Sequence, residues 1–236
     1  MLQVSEAWKT AFPGAVVGTL VMRNVANPES HAALERRKQE LEGQLRSRFS
    51  EGGKAAIKAL SVIRAYDAHF ARFNKTYPVQ LQLDSVALKG KSIPRVAALV
   101  EAMFMAELKN LLLTAGHDLA AVQEPIRLDV STGSERYVLL NGQEQELKPG
   151  DMMVADVQGV ISDVIYGPDQ RTRITSTTRQ VLFVVYAPAG IGAEAVRRHL
   201  EDIQANVALV TPEAEVESLD VCAAEQVDPH PRPFSL

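Results

Sequence analysis

Apolar residues recur at steps of three and four through Val96, Leu99, Val100, Met103, Phe104, Leu108, Leu111 and Leu112. That is the period of one helical face. Pro94 fits a first helical turn, where a missing N–H costs nothing, and Gly116 fits a C-cap. The pattern predicts one long core helix over about residues 93–119, with Arg95, Glu101, Glu107, Lys109 and Asn110 mostly off its apolar face. Upstream, Ala15–Arg23 is β-branched and apolar and reads as a buried strand. Asn27-Pro28 reads as the start of a helix to about Ser50, with Leu34, Leu41, Leu45 and Phe49 inward. After the break at Gly52-Gly53, a second helix is predicted over Lys54–Phe73.

Downstream the period changes to two. Residues 125–130 alternate like a strand, and Asn141-Gly142 is a hairpin signal between the runs ending at Leu140 and Leu147. Met152–Asp156 and Gly159–Tyr166 read as strands, and Gly167-Pro168 begins a polar loop. Gln180–Tyr186 reads as a second buried strand, Gly190–Ala205 as a helix and Val207–Val210 as a short strand. Helices crowd the first half and strands the second. The expected class is α+β, a mixed or antiparallel sheet covered by helices, with residues 1–222 forming a single domain. The proline-rich end, residues 223–236, reads as a mobile tail.

Composition changes this picture little. The 236 residues include one cysteine, Cys222, so neither an intrachain disulfide nor a thiolate cluster can form within the chain. No apolar run approaches a membrane span, and the start lacks a signal-peptide pattern. The expectation is a cytoplasmic protein without membrane or DNA partners. Net charge is −4, which argues against indiscriminate nucleic-acid binding. The charge is uneven, however: residues 1–125 hold 16 Lys+Arg against 12 Asp+Glu, and the remainder 9 against 17. Any RNA contact is expected mainly in the first half.

No phosphate loop, dinucleotide fingerprint, zinc-protease helix or nucleophile elbow is present, and no histidine pair has metal-ligand spacing. No metal or cofactor is expected. His117-Asp118 sits at a predicted helix-to-loop junction, where the histidine could serve as a general base or simply cap the helix. Asp156 and Asp163 flank a hairpin; they could hold a cation, but read first as solvent-facing turn acids. Arg171 and Arg173 lie among threonines, a mixture suited to phosphate, and Arg64 interrupts an apolar helical stripe.

An ordered series carries a resemblance: Ile93-Pro94-Arg95, then Gly116-His117-Asp118-Leu119, Ile126-Arg127-Leu128, Leu139-Leu140-Asn141-Gly142, Leu147-Lys148-Pro149-Gly150-Asp151, Val154-Ala155-Asp156 and Thr175 to Leu182. The chain resembles the editing domain of the phenylalanyl-tRNA synthetase beta subunit, its B-three/B-four module, and free-standing proteins built from that module alone. The resemblance implies a layered β/β/α fold and a stand-alone, RNA-associated protein rather than a complete tRNA ligase. It also implies hydrolysis of mischarged aminoacyl-tRNA, with water held by backbone groups and by Thr114, His117 or Asp118, and with help from the tRNA's terminal hydroxyl. The family's Thr-Asn-Tyr positions fall on Met103, Phe104 and Met105, its loop histidine on Ala115 and its strand acid on Val184. Its threonine is kept as Thr178 and its loop aspartate as Asp118. The implied substrate pocket is thus Met103, Phe104, Ala115, Thr178 and Val184, and Arg64, Arg171 and Arg173 are the candidate RNA contacts. Such an apolar pocket cannot hydrogen-bond a tyrosine hydroxyl. The other implied role is a non-catalytic module holding a tRNA end, a small apolar ligand or a protein. Oligomeric state is left open.

Overall fold

The structure, a computed structural model, describes residues 2–224. The chain runs β1 (Leu2–Val4), α1 (Glu6–Ala11), β2 (Val16–Arg23), α2 (Ala32–Arg48), α3 (Gly53–Ala59), α4 (Ser61–Ala71) and α5 (Pro78–Leu83). A π-helical turn (Asp84–Leu88) precedes α6 (Ala98–Asn110) and β3 (Leu113–Asp118). Then come β4 (Ile126–Val130), β5 (Arg136–Val138), β6 (Glu144–Glu146), β7 (Met152–Asp156), β8 (Gly159–Asp163) and β9 (Gly167–Pro168). The described chain closes with β10 (Gln180–Ala187), α7 (Ala193–Ala208) and β11 (Glu215–Ala223). The proline-rich residues 225–236 lie outside the described residues.

The elements stack as two sheets and a helical layer. An antiparallel sheet in the order β11-β2-β10-β3 carries α6 and α7 on one face. Gly18 of β2 makes the close approach possible, since a Cβ there would meet Val196 Cγ1 of α7 at 2.4 Å. The other face looks toward a mixed sheet, β1-β4-β7-β8-β9, in which β1 pairs parallel with β4. Hydrogen bonds tie the two sheets: Ser162 of β8 meets Tyr186 of β10 at 2.6 Å and His117 of β3 at 3.2 Å. This is the expected α+β, β/β/α layering. The central strand β10 is buried along almost its whole length, with Phe183, Val184 and Val185 fully inaccessible. Each such side chain contributes about 1.5–3 kcal/mol through burial.

The main helix is shorter than its periodicity predicts. It ends at Asn110, and Leu111 turns the chain with a left-handed φ of 62°. The expected second half of that helix is β3, and Gly116 is a strand residue rather than a C-cap. The apolar run misled because β3 is buried among neighbours and so does not alternate. Leu111 holds an unusual conformation for leucine because its side chain is buried, its N–H reaches Glu107 O, and Tyr77 Oη donates to its carbonyl at 2.9 Å. Nor are the polar residues of α6 all solvent-facing: Glu101 and Glu107 are buried, Glu101 against Lys38 at 2.9 Å.

Other boundaries move for local reasons. The helix after Asn27-Pro28 begins only at Ala32, because Asn27 is used elsewhere. Its Oδ1 accepts from Leu99 N at 2.8 Å and its Nδ2 donates to Thr175 O at 2.9 Å, linking α6 to the polar loop. The predicted 54–73 helix is two, broken where Leu60 turns extended at ψ 131°. Gly167-Pro168 pairs with β8 instead of opening a loop, and Val207–Val210 closes α7 instead of forming a strand.

Candidate functional site

The β3 strand is the edge of its sheet, and a cavity of about 550 Å³ opens beside it. Val100, Met103, Phe104 and Glu107 of α6 form one wall, and Leu113, Thr114, Ala115 and Gly116 of β3 the floor. Asp163, Val164, Ile165, Tyr166, Gly167 and Pro168 form the opposite wall. The exposed side chains of Val96, Leu140 and Arg173 stand at its rim. The lining is predominantly apolar with a few polar groups, the usual chemistry of a small-ligand site.

The floor offers backbone as well as side chains. Thr114 N–H donates to Glu107 Oε1 at 2.8 Å and Asp118 N–H to Thr172 O at 2.7 Å, both away from β10. The two-residue period of an antiparallel ladder turns the Gly116 N–H the same way, toward the cavity. A Cβ at Gly116 would lie 2.8 Å from Ile174 Cδ1 and 3.4 Å from Met103 Sδ, so the glycine leaves the flexible end of Ile174 room that a side chain would take.

Two carboxyls line opposite walls. Glu107 is 2% exposed, and burial pushes its pKa up to about 8 although the Thr114 N–H bond acts to lower it. Asp163 is 1% exposed, and burial, then the neighbouring Asp151 carboxylate, raise its pKa well above the ordinary value. The reading of Asp163 and Asp156 as solvent-facing turn acids is therefore corrected. Asp156 is buried under a bidentate contact from Arg171, with both distances 2.9 Å.

The residues proposed from sequence divide sharply. Met103, Phe104, Thr114, Ala115 and Arg173 come together around the cavity. Thr114 Oγ1 also meets His199 Nε2 of α7 at 2.7 Å, and burial lowers the His199 pKa to about 3. The others do not line the cavity. His117 is fully inaccessible, its two ring nitrogens meeting Thr172 Oγ1 at 2.8 Å and Ser162 Oγ at 3.2 Å. Burial, reinforced by the Arg171 charge, lowers its pKa to about 3, so it is a neutral bridge between layers. Asp118 caps the 3-10 turn after β3 through Ala120 N at 3.1 Å and accepts from Thr178 Oγ1 at 2.8 Å. Val184 is buried on the face of β10 turned to the second sheet, and Tyr186 two residues on lines the cavity instead. Arg171 is committed to Asp156 and Ala121 O, and Arg64 lies exposed on α4 away from the cavity.

Glu107 and Asp163 were missed as site residues. The available signal was a single glutamate between Met105-Ala106 and Leu108 in an otherwise apolar stretch, and an aspartate closing the apolar Val160-Ile161 strand. Neither charge is placed by chance in such surroundings, since a buried carboxyl needs a partner or a proton.

The chain is a layered α+β domain with an apolar cavity at a free strand edge. The particular family follows from comparison with known proteins: a family model described as the B3/4 domain matches residues 63–206. The chain belongs to the B3/4 domain family. It is 36% identical over 69 residues to the phenylalanine–tRNA ligase beta subunit of Mycoplasma pneumoniae and 33% identical over 69 residues to that of Mycoplasma genitalium. Each match covers 29% of this chain and 9% of the relative. Among solved structures, an N-terminal fragment of the phenylalanyl-tRNA synthetase beta subunit from Pyrococcus horikoshii aligns over 92% of this chain and 50% of its own, with 14% identity and a TM-score of 0.47.

Proposed function

We propose that this chain acts in trans on mischarged tRNA, taking the apolar side chain of the aminoacyl group into the cavity beside β3 and hydrolysing its ester. The observation that carries the proposal is the cavity itself. It is apolar, bounded by an edge strand with a free backbone N–H, and has a buried carboxyl in its wall.

In this scheme Glu107 replaces His117 and Asp118 as the general base. A carboxyl with a pKa of about 8 exchanges a proton readily near neutral pH. Water attacks the ester carbonyl carbon while Glu107 takes its proton. The Gly116 N–H donates to the oxyanion that forms. The bond between that carbon and the ribose oxygen then breaks, and the ribose oxygen recovers the proton from Glu107. Met103, Phe104, Val100 and Ile165 supply the contact surface for an apolar side chain, and Arg173 at the rim meets the terminal phosphate.

The test is single-turnover deacylation of tRNAs charged with a panel of apolar amino acids. Glu107→Gln is expected to slow ester loss by about 10²-fold or more at unchanged binding. Unchanged deacylation in that variant contradicts the role of Glu107. The second reading is a binding module without catalysis. It is favoured by the structural engagement of His117 and Asp118 and predicts tight binding of the acylated end with no turnover on any substrate.

A further inference from the structure

The two sheets leave a second opening at the edge away from β3. There β11, nine residues long, overhangs the second sheet, whose outermost strand on that side, β1, has three. The cleft beneath it has a volume of about 440 Å³, within the usual range of a small-molecule site. Gly18 of β2 faces α7, so strand alternation turns Thr19 and Arg23 the other way, into the cleft. Leu2 of β1, Ile126 of β4 and Leu182 of β10 give it an apolar interior.

Two independent features of the lining call for a ligand of one kind. Thr19 is 6% exposed, yet its hydroxyl has no hydrogen-bond partner among the described residues, where buried polar groups are normally bonded. The charge is also one-sided. Arg23, the one cation of the lining among the described residues, is spent on Glu217 Oε1 at 3.0 Å and on Gln180. Asp220 stands exposed at the mouth with no ion pair among the described residues, and Glu124 adds a further carboxylate. Thr19 and Asp220 are direct cross-strand partners on β2 and β11, which sets their Cβ atoms about 4.5–5.5 Å apart. An ammonium carries three N–H donors and no acceptor, so a single one can serve both side chains. Among the described residues no three acidic, histidine or cysteine side chains converge as a metal site, so the fitting cation is organic.

We propose that this cleft is a second binding site, separate from the cavity beside β3, for a small primary amine on an apolar body. The ammonium lies between Thr19 and Asp220, and the body lies against Leu2, Ile126 and Leu182. The site does not depend on the reading of the cavity beside β3 as an acyl pocket.

The test is titration of the full chain with cyclohexylmethylamine, cyclohexylmethanol and cyclohexanecarboxylate, followed in two-dimensional amide spectra. The amine is expected to shift the Thr19 and Asp220 amides saturably and to leave Ala115, in the floor of the other cavity, unmoved. It is expected to bind about fivefold or more tightly than the alcohol, and the carboxylate more weakly than either. Asp220→Asn, at an exposed position, should bring the amine down to the affinity of the alcohol, and Thr19→Val should weaken the amine more than the alcohol. Equal affinity for amine and alcohol on the unaltered chain overturns the proposal, whether or not the variants fold. Shifts confined to Ala115 and its neighbours, or no shift with any of the three compounds, overturn it as well. None of these outcomes bears on ester hydrolysis, which is read separately by deacylation.

Discussion

At the residue scale, burial decides which titratable groups do what. His117 and His199 are both driven down to about 3 by desolvation, and Glu107 is driven up to about 8. The signs are opposite in kind and predict stability losses on both sides of a maximum. Unfolded histidine takes a proton near 6.5 while the folded rings do not, so stability falls as pH drops from about 6.5 toward 3, by at most about 1.4 kcal/mol per pH unit per ring. Folded Glu107 keeps its proton up to about 8 while the unfolded residue loses it near 4.5, so this group removes stability as pH rises between those values. Urea midpoints from pH 4 to 9 check both limbs. Glu107→Gln is expected to lessen the alkaline loss alone, leaving the share of Asp163, and His199→Gln to lessen the acid loss alone, leaving the share of His117. A Glu107→Gln profile that overlays the parent contradicts the burial account of this carboxyl.

At the element scale, the site is made by one short strand. Leu111 stops α6, β3 follows at once, and its free edge becomes the floor of the cavity. Gly116→Ala places a methyl against the flexible end of Ile174, so it is expected to leave stability within about 1 kcal/mol and to weaken ligand binding severalfold. Gly18→Val pushes α7 off the sheet and is expected to cost about 1–3 kcal/mol or more, read from the urea midpoint. The elements legible from sequence were those with a β-branched apolar run, a turn signal or a helical period: β2 and β10, the Asn141-Gly142 hairpin, and α7. The element that makes the site was not. A strand among buried neighbours has no alternation, and the residue that ends the helix is a leucine, not the glycine that would announce it. The strand β11 escaped notice because it lies exposed at a sheet edge, its apolar residues interrupted by Glu215, Glu217, Ser218 and Asp220. Of the cavity wall, the apolar members were legible and the carboxyls were not, because only the folded chain shows that Glu107 and Asp163 are buried.

At the scale of the whole molecule, one cluster of buried apolar side chains extends from Trp8 to Ala224 and includes α6, both faces of β10 and strands of the second sheet. We propose that it unfolds as one domain, and coincident fluorescence and far-ultraviolet circular dichroism transitions in urea are expected. Trp8, at the chain's start, reports on the core, so an early fluorescence transition would argue for separate units. The net charge of −4 and the commitment of Arg171 to Asp156 leave little basic surface near the cavity apart from Arg173 and from Lys75, whose ammonium lies 5.2 Å from the Tyr166 ring. Recognition is therefore expected to lie in the acyl group more than in the tRNA body, with a shallow salt dependence that Arg173→Ala reduces by a slope of about 1. No described helix is long and apolar enough to cross a membrane.

Met103 offers the most direct view of the acyl-binding cavity, since its side chain lines it while Met22 and Met152 are buried elsewhere in the core. With the methionine methyls labelled, titration with a hydrolysis-resistant amide analogue of phenylalanyl-adenosine should shift the Met103 resonance saturably and leave Met22 and Met152 in place. A saturable shift at another methionine with Met103 unmoved, or no shift at any ligand concentration, contradicts the account.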